Sequence, residues 1–260
     1  MRQNDVPATD QKLGGKTALV TGASSGIGRG VALAFAAHGA RVAVNFPTAD
    51  EQSAAETVCQ RITDDGGVAQ AIMGDVAEEA QVAAMMSEAE QRLGPIDILV
   101  NNAGIAHTAP LEDIPVTVWD RVLAVHLRGT FLCTRAVLPA MYERGFGRII
   151  NTASQLAYKG SPGLTHYTAA KGAILAMTRS LALEAGARNV TINCVAPGAT
   201  LTPILDSVPD ELLEQIRASI PLGRMAQVAD IVPSYVFLAS QDGSHYQGQC
   251  LSPNGGDVFL

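Results

Sequence analysis

Three side chains in the middle of the chain have the types and the spacing of a proton-transfer site. Tyr167 and Lys171 stand four residues apart in a segment, 164–187, whose pattern predicts a helix. Residues four apart share one face of a helix, so the phenol and the ammonium can reach the same pocket. Ser154 follows an apolar run, 148–153, that predicts a buried strand. A helix with one exposed lysine would show the same Tyr–Lys spacing, so the spacing alone does not decide between the two.

The chemistry that these side chains can perform together is the interconversion of a carbonyl and an alcohol. A free tyrosine titrates near pH ~10 and exchanges protons poorly at neutral pH. A lysine cation nearby favours the phenolate, so Lys171 is expected to lower the pKa of Tyr167. The Ser154 hydroxyl is expected to hold a substrate oxygen while Tyr167 exchanges a proton with it. Such a site also needs a hydride donor.

Apolar runs and helical segments alternate along the chain. The predicted strands lie at 16–21, 41–45, 68–73, 96–100, 148–153, 190–196 and 249–252. The predicted helices lie at 31–38, 50–65, 78–93, 116–144, 164–187, 209–218 and 227–239. Near-continuous apolar strands joined by helices indicate a parallel sheet covered on both faces. We therefore expect an α/β, doubly wound, Rossmann-type fold with a mostly parallel, seven-stranded sheet, in one domain over 14–260 after a flexible segment, 1–13.

The composition argues against several classes of protein. Apolar residues make up 47% of the chain and charged residues 17%, which is typical of a globular protein. The net charge of −7 argues against a nucleic-acid surface. The N-terminal segment lacks the apolar core of a signal peptide, and no apolar run approaches the ~20 residues of a membrane span. The four cysteines show no metal-ligand spacing, which predicts reduced thiols without a metal, in a cytoplasmic protein.

A glycine-rich turn, TGASSGIG at 21–28, joins the first predicted strand to the first predicted helix. That context separates a dinucleotide-binding turn from a chance cluster of glycines. Gly22 permits a tight turn, while Gly26 and Gly28 leave room for a pyrophosphate beside the backbone. The N-terminus of the helix then offers free N–H groups and its positive dipole end to the phosphates. The spacing is TGxxxGxG and not GxGxxG, and an ordinary glycine-rich turn is the alternative.

Five motifs in this order resemble the short-chain dehydrogenase/reductase family. They are TGxxxGxG at 21–28, NNAG at 101–104, Ser154, YxxxK at 167–171 and PG at 197–198. The similarity runs from about residue 14 to residue 256 and is to the short, single-domain members, such as 3-oxoacyl-acyl-carrier-protein reductases and glucose 1-dehydrogenases. It implies an NAD(P)(H)-dependent oxidoreductase that interconverts a secondary alcohol and a ketone, with Tyr167 as general acid and base. A 3-oxoacyl thioester, a sugar or another small carbonyl compound would fit as substrate.

The resemblance also implies roles for individual residues. Ser154, Tyr167 and Lys171 are the implied catalytic residues. The residues expected to contact the cofactor are Gly22, Ser24, Ser25, Ile27, Gly28, Asn45, Asp75, Val76, Asn102, Ala103, Gly104, Tyr167, Lys171, Pro197, Gly198 and Thr202. The residues expected beside the substrate are Ser154, Gln155, His107, Tyr158 and Ala199, with Leu164 and Leu205.

One position departs from the family pattern. His126 stands in the long predicted helix where the family usually has an asparagine that completes the catalytic set. An imidazole titrates near pH ~6.5 and could join a proton or water relay behind Lys171. It could equally be a buried histidine with a satisfied ring. His126 is therefore a candidate catalytic residue with two interpretations open.

The end of the second predicted strand bears on the choice between NAD and NADP. A carboxylate there would bind the ribose hydroxyls and repel a 2′-phosphate. The chain has Phe46 at that position, and Pro47 where an arginine often clamps the phosphate. Asn45 and Thr48 are expected to give neutral hydrogen bonds to either cofactor. The absence of a repelling carboxylate favours NADP(H), with NAD(H) as the alternative.

Other functions fit the same residues. A dinucleotide-binding sensor or scaffold would keep the fold and lose turnover, and His126 leaves room for it. An epimerase or dehydratase would recycle the cofactor in place. The expected partners are a small carbonyl or alcohol substrate and, by the resemblance, further copies of the chain in a homotetramer that pairs the helices at 116–144 and 164–187. The irregular region 199–225 follows the sixth strand and is the predicted lid.

Overall fold

The computed structural model describes residues 11–205 and 208–259. The described residues form one sheet of seven parallel strands in the order β3-β2-β1-β4-β5-β6-β7. The strands are β1 Thr17–Val20, β2 Arg41–Phe46, β3 Val68–Met73, β4 Ile98–Asn101, β5 Gly147–Thr152, β6 Val190–Val195 and β7 Cys250–Leu251. The predicted doubly wound parallel sheet is confirmed. Its order reverses between β1 and β4, and ligands of open α/β sheets bind at the carboxyl ends of the strands beside such a switch point.

Helices cover both faces of the sheet. They are α1 Gly26–Ala37, α2 Gln52–Asp64, α3 Glu79–Leu93, α4 Val116–Leu123, α5 Gly129–Arg144, α6 Leu156–Lys159, α7 Thr165–Ala185, α8 Asp210–Ser219 and α9 Val228–Ala239. In β1, Ala18 and Val20 face the core formed with α1, α2 and α9, while Leu19 faces the core formed with α3 and α5. Consecutive strand residues point to opposite faces, so a strand buried on both sides is a continuous apolar run.

The helix predicted over 116–144 contains an irregularity that the sequence did not predict. The helices α4 and α5 are joined by a π-helical turn, Ala124–Arg128, with His126 in its middle. The Thr130 hydroxyl donates a hydrogen bond to the His126 carbonyl at 2.6 Å, which helps to satisfy the backbone at the turn. A π turn inside an α-helix is frequent at functional sites. The π turn therefore points to His126 as part of the site.

Residue 13 is already packed into the fold, although the sequence predicted that the domain begins at residue 14. Residues 1–10 of the segment expected to be flexible lie outside the described residues. Leu13 is buried in the core beside α1, and its N–H donates to the His38 carbonyl at 2.9 Å. In the predicted lid, residues 206 and 207 lie outside the described residues. Within the described ranges, the helices are all too short or too polar to cross a bilayer.

Candidate active site

The carboxyl end of β5 and the first turns of α7 bring Ser154, Tyr167 and Lys171 together. Ser154 follows β5 by two residues, and the other two side chains project from one face of α7. The Ser154 hydroxyl lies beside the phenol of Tyr167 and is close enough to lower its pKa. The Lys171 ammonium lies 5.6 Å from the centre of the Tyr167 ring and donates to the Thr152 carbonyl at 2.5 Å. The three side chains form one cluster at the end of the sheet where ligands are expected.

Burial favours the neutral forms of both Tyr167 and Lys171. Burial raises the pKa of Tyr167, and the hydrogen bond with Ser154 opposes that rise. Burial lowers the pKa of Lys171, which is 3% exposed, from 10.5 to about 7. The expectation that Lys171 brings the pKa of Tyr167 below its ordinary value is wrong for this structure, because burial raises that pKa by more than the Ser154 hydroxyl lowers it. Tyr167 is therefore a neutral phenol with a proton to donate.

His126 packs against the ring of Tyr167. The two ring centres are 5.2 Å apart and the rings meet edge to face, at 83°. Nε2 of His126 lies 2.8 Å from the carbonyl oxygen of Ile105 and 3.1 Å from its nitrogen. Burial, and then the charge of Lys171, lower the pKa of His126 to about 3. The expectation that His126 titrates near 6.5 is wrong, since a ring that is 2% exposed stays neutral at physiological pH.

The other nitrogen of His126 marks an unusual spot beside the site. Within the described residues, the buried Nδ1 has no hydrogen-bond partner. An unsatisfied buried polar atom costs about 1–3 kcal/mol, and such an atom is typical of a functional site or of a bound water. A Cβ on Gly104 would lie only 2.6 Å from Cε1 of His126. The imidazole therefore needs the glycine of the NNAG motif beside it.

The glycine turn has the form of an anion site. Gly22 and Gly26 have φ angles of +60° and +54°, which residues with side chains rarely adopt. A Cβ on Gly28 would lie 2.3 Å from the Gly22 carbonyl oxygen, so the turn is closed to side chains. In the described structure, Ser25 at the N-cap of α1 makes no capping hydrogen bond and the first turn holds no acidic residue. These free N–H groups and the positive helix end fit a pyrophosphate, with Ile27 on the same turn.

The Asn45 side chain holds the glycine turn through hydrogen bonds. It is 1% exposed, and its side-chain oxygen accepts a hydrogen bond from the Gly22 N–H at 3.1 Å. Its side-chain nitrogen donates to the carbonyls of Ile72 at 3.2 Å and Gly74 at 2.9 Å. The expectation that this side chain hydrogen-bonds a cofactor is wrong, because both ends of the amide already tie the glycine turn to the end of β3.

The NNAG motif holds the other side of the turn. The Asn102 side-chain nitrogen donates to the carbonyls of Thr21 at 3.0 Å and Gly22 at 3.1 Å. The Thr21 hydroxyl accepts from the N–H groups of Asn102 at 2.9 Å and Ala103 at 3.0 Å. No role was predicted for Thr21, although its place directly before Gly22 was the available signal. Asn102 therefore shapes the cofactor end through the turn.

Two further predicted cofactor residues have charged neighbours. Ser24 is buried, and its hydroxyl donates to the carboxylate of Glu51 at 2.5 Å. Asp75 accepts hydrogen bonds from Arg121 at 2.8 Å and from the N–H of Ala77 at 2.9 Å. The carboxylate of Glu51 thus lies beside the glycine turn, although no acidic residue stands at the end of β2 itself. Val76 is buried, and its side chain packs against Gly129, the first residue of α5.

The segment after β6 crosses both ends of the cleft. A Cβ on Gly26 would lie 3.5 Å from the side chain of Thr202, so this segment reaches the glycine turn. Pro197 is buried, and its carbonyl accepts from the N–H of Gln155 at 3.0 Å. Between these points the backbone packs closely against the C-terminal loop, since a Cβ on Gly198 would lie 2.7 Å from the Cα of Asn254. The segment therefore links the pyrophosphate end to the Ser154 end.

An ion pair from the C-terminal loop holds the predicted substrate side. Gln155 is buried and donates through Nε2 to the carboxylate of Asp257 at 2.6 Å. Lys159 donates to the same carboxylate oxygen at 2.6 Å. In the described structure, the side-chain oxygen of Gln155 has no hydrogen-bond partner although it is buried. Sequence reasoning missed Asp257, which has no motif of its own.

The other predicted substrate residues lie around this pair. His107 stands edge-on to the buried His166 with ring centres 5.7 Å apart. Burial, together with the nearby His107, lowers the pKa of His166, so a second neutral imidazole adjoins Tyr167 in the chain. Tyr158 is 37% exposed. The carbonyl of Ala199 accepts from the N–H of Ala226, just after the predicted lid, at 2.9 Å, and Leu164 and Leu205 are half-buried.

Comparison with known proteins adds a consistent set of relatives. A family model described as enoyl-(acyl carrier protein) reductase matches residues 22–257. The 3-oxoacyl-(acyl-carrier-protein) reductase FabG of Staphylococcus aureus is 40% identical over 241 residues, which cover 93% of this chain and 97% of the relative.

Solved structures share the fold over nearly the whole chain. The gluconate 5-dehydrogenase of Burkholderia cenocepacia J2315, in complex with NADP and tartrate, superposes with a TM-score of 0.89 at 35% identity, over 95% of this chain and 97% of the other. A blue fluorescent protein from a metagenomic library, in complex with NADPH, gives a TM-score of 0.89 at 37% identity, over 95% of this chain and all of the other, 100%. Both neighbours hold the phosphorylated cofactor.

Proposed function

The chain belongs to the short-chain dehydrogenase/reductase family of NAD(P)-dependent oxidoreductases, and on that premise we propose that it reduces a small ketone with NADPH. The observation that carries the proposal is the neutral Tyr167 phenol, which lies beside the Ser154 hydroxyl and has the Lys171 ammonium 5.6 Å from its ring centre. A group that donates a proton to a forming alkoxide must hold that proton at the working pH. The raised pKa of Tyr167 meets that condition.

Each residue of the cluster has one task. Tyr167 donates the proton to the substrate oxygen in reduction and takes it back in oxidation. Ser154 hydrogen-bonds the same oxygen and fixes its distance from the phenol. Lys171, when protonated, favours the phenolate that is left after the transfer. The nicotinamide ring supplies the hydride when the cofactor is bound.

His126 is a positioning residue in this proposal. Its neutral ring packs edge to face on Tyr167 and is held by the backbone of Ile105. The unpartnered Nδ1 of His126 can accept a hydrogen bond from a water behind the cluster, which is what the amide of an asparagine would offer there. The function therefore needs no titration of His126.

The glycine turn and the N-terminus of α1 would hold the pyrophosphate. The surrounding residues that would contact the rest of the cofactor are Ser25, Ile27, Asp75, Val76, Asn102, Ala103, Gly104, Lys171, Pro197, Gly198 and Thr202. Two structural neighbours in complex with NADP or NADPH support NADP(H). The carboxylate of Glu51 on Ser24 is the observation that favours NAD(H), because a carboxylate near the adenosine ribose repels a 2′-phosphate.

The substrate class is a small carbonyl compound. The FabG relative is named for a 3-oxoacyl thioester and the gluconate 5-dehydrogenase for a sugar acid. The buried oxygen of Gln155 and the rings of His107 and His166 give this side of the cleft polar groups, and the charge of Asp257 there is paired with Lys159. These groups, with Tyr158 and Ala199, support a substrate that carries hydroxyl or ester oxygens beside its ketone.

Assembly and location extend the same proposal. We propose a cytoplasmic homotetramer of single-domain chains in which α4, α5 and α7 pair with a second copy. The support is a groove between these helices, lined by Leu123, Leu127, Phe131 and Met177, in which Phe131 is largely exposed. Light scattering on the purified protein measures the mass directly, and a monomer at micromolar concentration would refute the assembly.

The proposed function is tested by titrating NADPH and NADH separately into wild type and Tyr167→Phe, and then measuring turnover on a panel of ketones. The phenylalanine keeps the ring that packs on His126 and removes only the hydroxyl. We expect equal cofactor affinity in both proteins and a loss of turnover of at least about a thousandfold in the variant, within the range typical of a lost catalytic proton donor. Turnover that survives in Tyr167→Phe, or a wild type that binds cofactor and reduces no ketone, would refute the proposal.

A further inference from the structure

Two cysteines face each other at the edge of the sheet. Cys194 of β6 is the register partner of Cys250 of β7. Both pack in the small core with Ala153 and Ile174, so their side chains lie on the same face of the sheet. Neighbouring strands lie about 4.7–4.9 Å apart, and a disulfide joins Cα atoms about 4.4–6.8 Å apart. The pair is therefore within disulfide reach, and β7, only two residues long and at the edge, is free to make small adjustments.

The two thiols have different surroundings. Cys194 is buried, and its thiol donates to the Thr178 hydroxyl at 3.1 Å. Cys250 is half-buried and lies beside Cys194, the Tyr158 hydroxyl and Arg179. The hydrogen bond between the thiols and burial raise the pKa of Cys194, while the bonds from Cys194 and Tyr158 lower the pKa of Cys250. Cys250 is therefore the thiol with the larger share of thiolate, which is the reactive form.

The remaining cysteines provide the contrast. Burial raises the pKa of Cys133 in α5 to about 12. Burial and the charge of Glu56 raise the pKa of Cys59 in α2, which is half-buried, to about 11. Neither belongs to the core that holds Cys194 and Cys250. An oxidant that reaches all four cysteines should therefore react first at Cys250.

We propose that Cys194 and Cys250 are a redox modification site, which closes to a reversible intramolecular disulfide in the presence of a peroxide. The Cys250 thiolate attacks one peroxide oxygen, the O–O bond breaks, and a proton from water or buffer converts the leaving hydroxide into water. The Cys194 thiol then attacks the sulfenic sulfur of Cys250, forms the S–S bond and releases a second water. Two thiols lose two hydrogen atoms, and the peroxide is reduced to two water molecules.

The disulfide would change two contacts near the active site. Cys194 would no longer donate to Thr178, which also accepts a hydrogen bond from Asn151 at 2.9 Å. Tyr158, which stands at the predicted substrate side, would lose the thiol of Cys250 beside it. The modification site therefore touches Tyr158 of α6 and Thr178 of α7, the helix that carries Tyr167 and Lys171.

The test is peptide mapping of the full chain after treatment with hydrogen peroxide and alkylation of the remaining thiols. We expect a cross-linked peptide that joins Cys194 to Cys250, the loss of two free thiols, and full recovery with dithiothreitol. The Cys250→Ser variant should keep its three remaining thiols reduced at the same dose of hydrogen peroxide. The matched control Cys59→Ser should form the same disulfide between Cys194 and Cys250 as the wild type. Circular dichroism of each variant checks that it is folded.

A second measurement does not depend on variants. The rate of alkylation of each cysteine by iodoacetamide, measured against pH in wild type, should show Cys250 reacting at the lowest pH. Peroxide that oxidises Cys59 before Cys250, a Cys250 disulfide between two chains, or Cys250 sulfinic acid beside a free Cys194 would overturn the proposal.

Discussion

Lys171→Met should make the protein more stable while abolishing its turnover. The folded structure lowers the pKa of Lys171 from 10.5 to about 7, because the side chain is almost fully buried. One pKa unit corresponds to about 1.4 kcal/mol, so keeping the charge buried below about pH 7 costs the fold at most about 5 kcal/mol. The variant also loses the hydrogen bond to the Thr152 carbonyl, worth about 1.5–3 kcal/mol for a charged donor. The net expectation below about pH 7 is a gain of at most about 2–3.5 kcal/mol.

The sign of the pH dependence follows from the direction of the shift. Between about pH 7 and pH 10.5 the unfolded chain holds a proton on Lys171 that the folded chain has released. The free energy of unfolding of the wild type therefore rises with pH across that window, and below it the penalty is constant and complete. The advantage of Lys171→Met should be largest below about pH 7 and should shrink as the pH rises towards 10.5.

The assay is denaturant unfolding of wild type, Lys171→Met and Tyr167→Phe at about pH 6 and about pH 9. Tyr167→Phe is the matched control, because it is expected to be inactive and still contains the buried lysine. It should keep the pH dependence of the wild type, while Lys171→Met should lose the part that Lys171 contributes. A Lys171→Met protein that is less stable than wild type at about pH 6, or whose advantage is the same at both pH values, would refute the reasoning.

Two further predictions concern the departure at His126. His126→Asn should leave kcat within about tenfold and leave the pH profile of kcat unchanged between about pH 5 and 8, since a pKa of about 3 keeps the ring neutral there; a step in the wild-type profile that disappears in the variant would contradict this. Gly104→Ala should lower the free energy of unfolding by about 1–3 kcal/mol, because its Cβ would lie 2.6 Å from the His126 ring. In the His126→Asn background, Gly104→Ala should lower the free energy of unfolding by less, which denaturant unfolding measures. An equal loss of stability in both backgrounds would count against the contact.

The strands and helices were predictable wherever they follow from a pattern of neighbouring residues in the sequence. The strands β1 and β6 and the helix α7 lie within two residues of their predicted ranges, because continuous apolar runs and helical periodicity are present in the sequence itself. The π turn at His126 was not predictable from such a pattern. The turn places the His126 ring so that its Nε2 contacts the backbone carbonyl of Ile105, which lies 21 residues earlier in the chain.

The candidate site was predictable in its residue types and less so in its electrostatics. Spacing together with the family resemblance brought Tyr167, Lys171 and Ser154 into one hypothesis, and the structure places them in one cluster. Spacing could not reveal that Asn45 is enclosed by the glycine turn and β3, because the acceptors come from strands that the fold brings alongside. It also could not reveal the carboxylate of Glu51 on Ser24, since the distance between them in the sequence spans the whole of α1 and β2.

The shifted groups of the site have one common cause. Burial raises the pKa of Tyr167 and lowers the pKa values of Lys171 and His126, so every one of these groups moves towards its neutral form. A site that favours neutral groups keeps the proton on the phenol, ready for an oxygen that gains negative charge as the ketone is reduced. In the reverse direction the phenol must first lose that proton, which the same burial opposes. The geometry is shared by both directions of the reaction, and at neutral pH the phenol holds the proton that the proposed reduction requires.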